Sequence, residues 1–273
     1  MKFLSIIQLT FRESLAKKTF LAFMGISTIT CLLFIFALNL DVVDGMQSSV
    51  SIFGQEASKS INVEEIVFGV EGALAVGLFT GGIFLALFAT SSLIPTLLKP
   101  GFIDLFLSKP VSRFEILAGR YIGAVAIAAF NIFYLIIFSW LILSLKTGFW
   151  NWSYLWGGVL IVVTFAILYA LMTLLGLLTR SGPFSLMITY VIIFFSPLLI
   201  QRDRIYALLS SKLYGYLLDG LYYFLPKPAE LGDITQEIVR GASVASWQPL
   251  WTSLLFGGII LAVSGLIFQK KNF

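Results

Sequence analysis

The sequence predicts an all-α integral membrane protein, and three observations predict it. Hydrophobic residues make up 59% of the 273-residue chain and charged residues only 12%, where soluble domains carry roughly 25% charged. Mean hydropathy is +0.96. The apolar residues are gathered into runs of about 20, the length a helix needs to cross a bilayer. The 26 Phe, 10 Tyr and 6 Trp suit that setting, where rings fill the apolar zone and crowd its edges. Cys31 is the single cysteine and histidine is absent. These two facts exclude an internal disulfide and a cysteine-based metal cluster, and remove the commonest general base, proton shuttle and metal ligand.

Residues 1–18, "MKFLSIIQLTFRESLAKK", place Leu4, Ile7, Phe11 and Leu15 at helical spacing, with Gln8, Arg12, Lys17 and Lys18 elsewhere. This is the pattern of an amphipathic helix in the headgroup plane, its basic residues toward lipid phosphates. The apolar run that follows is too long for a cleavable signal peptide and has no small-residue cleavage site. Six spans are expected, at 19–40, 72–94, 121–145, 153–178, 183–200 and 249–268. None carries a charge near its middle; Asn131, Ser139, Thr164 and Thr173 can bond within the bundle.

Orientation follows from lysine and arginine placement. With both termini cytoplasmic, the inner side holds 11 of the 18 basic residues (Lys2, Arg12, Lys17, Lys18, Lys99, Lys109, Arg113, Arg120, Arg180, Lys270 and Lys271) and 3 of the 14 acids. The net charges are then +8 inside and −4 outside. The net +4 of the chain reads as membrane orientation, not nucleic-acid binding. Two outer segments are long. Residues 41–71 are polar, and 201–248 include the Tyr-rich "IYALLSSKLYGYLLDGLYYFLPKP", expected to rest at the outer interface or to dip partly in.

In the second span Gly77 and Gly81 stand four apart, a spacing that lets helix backbones approach closely. They are candidates for a dimer interface, with packing inside the subunit as the other reading. On the inner side, 95–116 forms a rigid loop. Pro95, Pro100-Gly101 and Pro110 break it, Phe102, Leu105 and Phe106 share a helical face apart from Asp104, and Ser112-x-x-Glu115 spells a capping box that starts the third span. Such a segment suits docking of a cytoplasmic partner.

The stretch "LLKPGFIDLFLSKPVSRFEILAGRYIGA" resembles the cytoplasmic loop of type 2 ABC exporter permeases, the family that includes nitrous-oxide-reductase maturation and sodium, drug and lipid export permeases. The matching positions are Gly101, Leu107, Ser108, Lys109, Pro110, Arg113 and Gly119. The layout is similar as well: basic entry helix, six spans, a long outer segment before the last, and a terminal "IFQKKNF". Lys99-Pro100 stands where family members carry a glutamate, which passes the acidic contact to Asp104. The resemblance implies a multi-pass permease of the cytoplasmic (inner) membrane that pairs with a second copy or a paralogue. It also implies cytoplasmic ABC ATPase subunits, which hold the ATP and Mg, and coupling through the 95–116 loop.

The residues alone agree on the energy source. G-x-x-x-x-G-K-[ST] is absent, so the chain is not itself an ATPase, and neither HExxH nor GxSxG occurs, so no enzyme is expected and no cofactor within the chain. Ion-driven carriers place an ionisable residue inside the membrane; the nearest candidate, Glu71, is read as an interfacial carboxylate at the edge of span two. Two alternatives stay open: a non-transporting complex working mechanically on an extracytoplasmic partner protein, and a secondary transporter. The apolar lining suits a lipid or amphiphile as cargo.

Overall fold

In the computed structural model, residues 2–15, 18–43, 47–52, 55–56, 61–99, 112–202 and 212–270 are described. The chain opens with α1 (Lys2–Leu15) and α2 (Lys18–Ala37). Then come the strands β1 (Leu38–Val43), β2 (Gln47–Ile52), β3 (Gln55–Glu56) and β4 (Ile61–Asn62). A long helical stretch follows: α3 (Val63–Gly77), a π-helical turn (Leu78–Gly82), α4 (Ile83–Thr90) and α5 (Leu93–Leu97). The remaining helices are α6 (Arg113–Thr147), α7 (Trp152–Thr179), α8 (Gly182–Ile200), α9 (Lys212–Phe224), α10 (Pro228–Val239) and α11 (Gln248–Lys270).

The fold class holds in its coarse form. Among the described residues, five helices are long and apolar enough to cross a membrane: Val63–Leu97, Arg113–Thr147, Trp152–Thr179, Gly182–Ile200 and Gln248–Lys270. A sixth is reached only by counting the bent pair Ser5–Leu15 and Phe20–Leu33, whose axes differ by 71°. One element lies outside the helical class. Residues 38–62 contain a four-stranded antiparallel sheet in which β2 pairs with β1 (Leu38↔Ile52 to Val43↔Gln47), β3 and β4. Val42, Val43, Val50 and Ile52 supply the β-branched character that favours it.

The sequence marks the helix ends. Gly148 ends α6 at φ 74°, and Asn151 caps α7, its side chain accepting from Ser153 N. Arg180 ends α7 in the left-handed region at φ 54°, and Ser181 caps α8 one residue before Gly182-Pro183. Helix α7 is the centre of the bundle: 67% of its most apolar window is buried, against 22% for α8 and for α11. Ile161, Phe165, Leu168, Tyr169 and Met172 form its share of the core. Gly157 and Gly158 set its distance from two neighbours. A Cβ on Gly157 would stand 2.6 Å from Val239 of α10, and one on Gly158 would stand 2.7 Å from Ile136 of α6.

Helix α10 follows the Tyr-rich stretch of the 201–248 segment. Leu231, Ile234, Thr235 and Val239 are buried, so it packs into the bundle instead of lying on it. Proline at its first turn pre-sets the helical φ at no hydrogen-bond cost.

Candidate functional site

One end of the bundle gathers α1, α5, the start of α6, the α7–α8 turn and the end of α11. Of the residues assigned to ATPase coupling, Gly101, Asp104, Leu107, Ser108, Lys109 and Pro110 lie outside the described residues. Arg113 and Glu115 are described. Both limbs of the capping box are present: the Ser112 hydroxyl accepts from Glu115 N at 3.2 Å, and Ser112 N donates to Glu115 Oε2 at 2.8 Å. Arg113 Nη1 donates to the Gln269 carbonyl at 3.1 Å, fastening the first turn of α6 to the last of α11.

Arg120, counted among the inner-side basic residues, is wholly buried and ion-paired with Glu13 of α1. Three residues on, Gly123 faces Thr10, whose Cβ would be 2.8 Å from a Cβ placed there. The entry helix α1 is thus held against the base of α6 by a charge pair and a close backbone approach. The signal was legible: Ile116, Arg120, Ala124 and Ile127 recur at helical spacing, which puts Arg120 on the buried face. The other flank is packed too. Gly182 comes so near Ser91 that a Cβ would meet its carbonyl oxygen at 3.0 Å, and Gly176 lies against Pro95. The loop therefore leaves and re-enters a firmly built end of the bundle.

The opposite end holds a buried polar clasp. Asn151 Nδ2 donates to Glu71 Oε2 at 2.7 Å and to the Val239 carbonyl at 2.9 Å, while the Asn151 carbonyl accepts from Trp140 Nε1 at 3.0 Å. Asn151 thereby joins α3, α6, α7 and α10. Glu71 is a correction. The apolar helix begins at Val63 and not at 72, so Glu71 lies inside the Val63–Leu97 stretch and is fully buried, not at an exposed edge. At the other end of α10, Tyr222 of α9 lies under two cations, with Arg202 Cζ 3.7 Å and Lys227 Nζ 4.0 Å from the ring centroid. Burial pushes the Lys227 ammonium below its ordinary range.

Between these ends lies a cavity of about 690 Å³. The apolar walls come from the helices of Val63–Leu97 and from α8: Phe79, Phe84, Leu85, Ile193 and Phe194. The polar wall comes from α10, where Asp233 and Gln236 are three residues apart and share a face. The π-helical turn forms part of the lining, and π-bulges inside α-helices are frequent at functional sites. Gly81 lines the cavity, and neither Gly77 nor Gly81 has any atom within 4 Å of an added Cβ. Both glycines are exposed.

No family model matches the chain, and no curated protein is similar to it at a significant level.

Proposed function

We propose that the chain is the transmembrane permease subunit of an ATP-driven exporter of the type 2 ABC class, paired with a second permease copy and with cytoplasmic ATPase subunits. The observation that carries this reading is the anchorage of the 95–116 segment. A loop that passes force from a closing ATPase to the bundle needs a footing that does not yield. The capping box, the Arg113–Gln269 bond and the Glu13–Arg120 pair supply one on the α6 side. Closure of the ATPases on ATP then rotates α6 together with α1 and α11, and the cavity beside the π turn changes its access. The cavity favours transport over a purely mechanical role, because a lever needs no apolar chamber. Gly77, which does not line the cavity, presents an open face to the second copy, while Gly81 borders the cavity.

Secondary transport has one observation behind it: a buried carboxyl within a span is what ion-coupled carriers use. Glu71, however, is not among the cavity's lining residues and is bonded into a helix cap, which suits a clasp better than a coupling site. The test lies in the loop. Asp104→Ala and Arg113→Ala should leave insertion intact while weakening capture of the ATPase or its stimulated hydrolysis. Pro110→Ala should lower coupling without abolishing capture. Unchanged capture and hydrolysis in all three variants would remove the coupling role.

A further inference from the structure

The cavity itself says what kind of molecule it takes. Its volume of about 690 Å³ falls within the roughly 300–1,000 Å³ of ligand pockets. Most of its wall is apolar, and none of the described lining residues is basic. Asp233 is the acidic member of the lining, and among the described residues it makes no ion pair or hydrogen bond. The next carboxyl on the same helix face, Glu237, adds negative charge nearby. Phe79, Phe84 and Phe194 supply apolar wall for the body of an amphiphile. An anion would meet repulsion from Asp233.

We propose that this cavity binds a monocationic amphiphile, its apolar body among Phe79, Phe84, Leu85, Ile193 and Phe194 and its positive centre against Asp233 and Gln236. Calling that molecule the exported cargo rests on the transport reading above; its binding does not. Asp233 is exposed at the open side of the cavity; partial desolvation there raises its carboxyl above its ordinary range, with Glu237 adding to the effect, and a bound cation relieves both. Gly81 fits the same account. It borders the cavity and has nothing within 4 Å of its Cβ position, so it is the place to add a side chain that competes with the ligand for space.

The experiment uses two probes of nearly equal size and opposite charge. The full chain, without any ATPase, is placed in phosphatidylcholine nanodiscs and titrated with radiolabelled tetraphenylphosphonium or tetraphenylborate. Wild type should bind the phosphonium saturably, and tighter than the borate. Asp233→Asn should weaken phosphonium binding roughly ten-fold or more, as expected for loss of a charged partner, and narrow the gap to the borate. Asp233→Glu should retain the preference. Gly81→Leu should remove saturable binding of both probes while the thermal transition of the bundle stays in place. Equal binding of the two probes to wild type, absence of saturable phosphonium binding, or an Asp233→Asn variant indistinguishable from wild type would each overturn the proposal. ATPase capture by the loop is a separate measurement, so a failure here leaves that reading standing, and the reverse holds as well.

Discussion

Replacing Asn151 tests how the end of the bundle opposite the termini is held together. Asn151→Ala removes three things at once: the cap on α7, the donor to Glu71 and the donor to the Val239 carbonyl. A lost N-cap costs about 1 kcal/mol. A buried acceptor left without its bond costs roughly 1–3 kcal/mol, and Glu71 is fully buried. The Val239 carbonyl, at a helix end, adds a smaller amount of the same kind. The expected loss is about 3 kcal/mol. Asn151→Asp keeps the cap but sets a second acceptor against Glu71, so it should cost at least as much as alanine. Glu71→Gln in the Asn151→Asp background restores a donor between the two side chains and should recover about 1–2 kcal/mol, the size of coupling expected for residues in contact. The assay is reversible unfolding in detergent together with hydrogen exchange. Protection should fall first in the last turn of α10, whose carbonyl Asn151 holds. If Asn151→Ala unfolds within about 0.5 kcal/mol of wild type, like an ordinary surface substitution, the clasp contributes nothing and the argument is refuted.

Three further outcomes follow from particular contacts. Gly157→Ala should destabilise by about 1–3 kcal/mol, the usual cost of overpacking, because its Cβ would stand 2.6 Å from Val239; a denaturation midpoint equal to wild type would contradict this. Asp233 titrates above its ordinary range in the folded chain, for reasons of partial desolvation first and Glu237 second. It therefore stabilises the fold below its unfolded pKa, and this contribution disappears as pH rises through the folded value. Wild type should lose stability over that interval while Asp233→Asn does not, as read by thermal unfolding from acid to neutral pH. In a Cys31→Ser background, cysteines at Ser108 or Ser181 should be shielded from an impermeant thiol reagent in intact cells, and those at Ser49 or Ser243 should react. Labelling at Ser108 from outside would reverse the orientation.

Features written in local spacing were legible in the sequence, and features that depend on which neighbours a helix meets were not. Ser112-x-x-Glu115 predicts a cap from four residues, and both of its bonds are present. Pro228 followed by Leu231, Thr235 and Val239 marks an apolar helical face just as plainly, but spacing does not say which neighbour that face meets. Burial of that face was decided by Gly157, which opens room for Val239 on a helix many residues away. The burial of Arg120 and of Glu71 has the same kind of cause. A charge near the end of an apolar run suggests an interface, but a partner on another element, Glu13 in one case and Asn151 in the other, draws it inside. The small sheet of 38–62 lacks the clean apolar–polar alternation in sequence that would announce it. Most of the cavity's walls come from span residues with no individual signature.

The central claim is that the energy for this chain's work comes from a second protein. Co-expression with the reading frames that flank its gene, followed by affinity purification through the chain and native mass spectrometry, tests it most directly. The account predicts two copies of the chain with two copies of a soluble ATPase whose hydrolysis falls in the Arg113→Ala variant. A solitary chain that drives uptake from a proton gradient, and loses it in Glu71→Gln, would contradict the account.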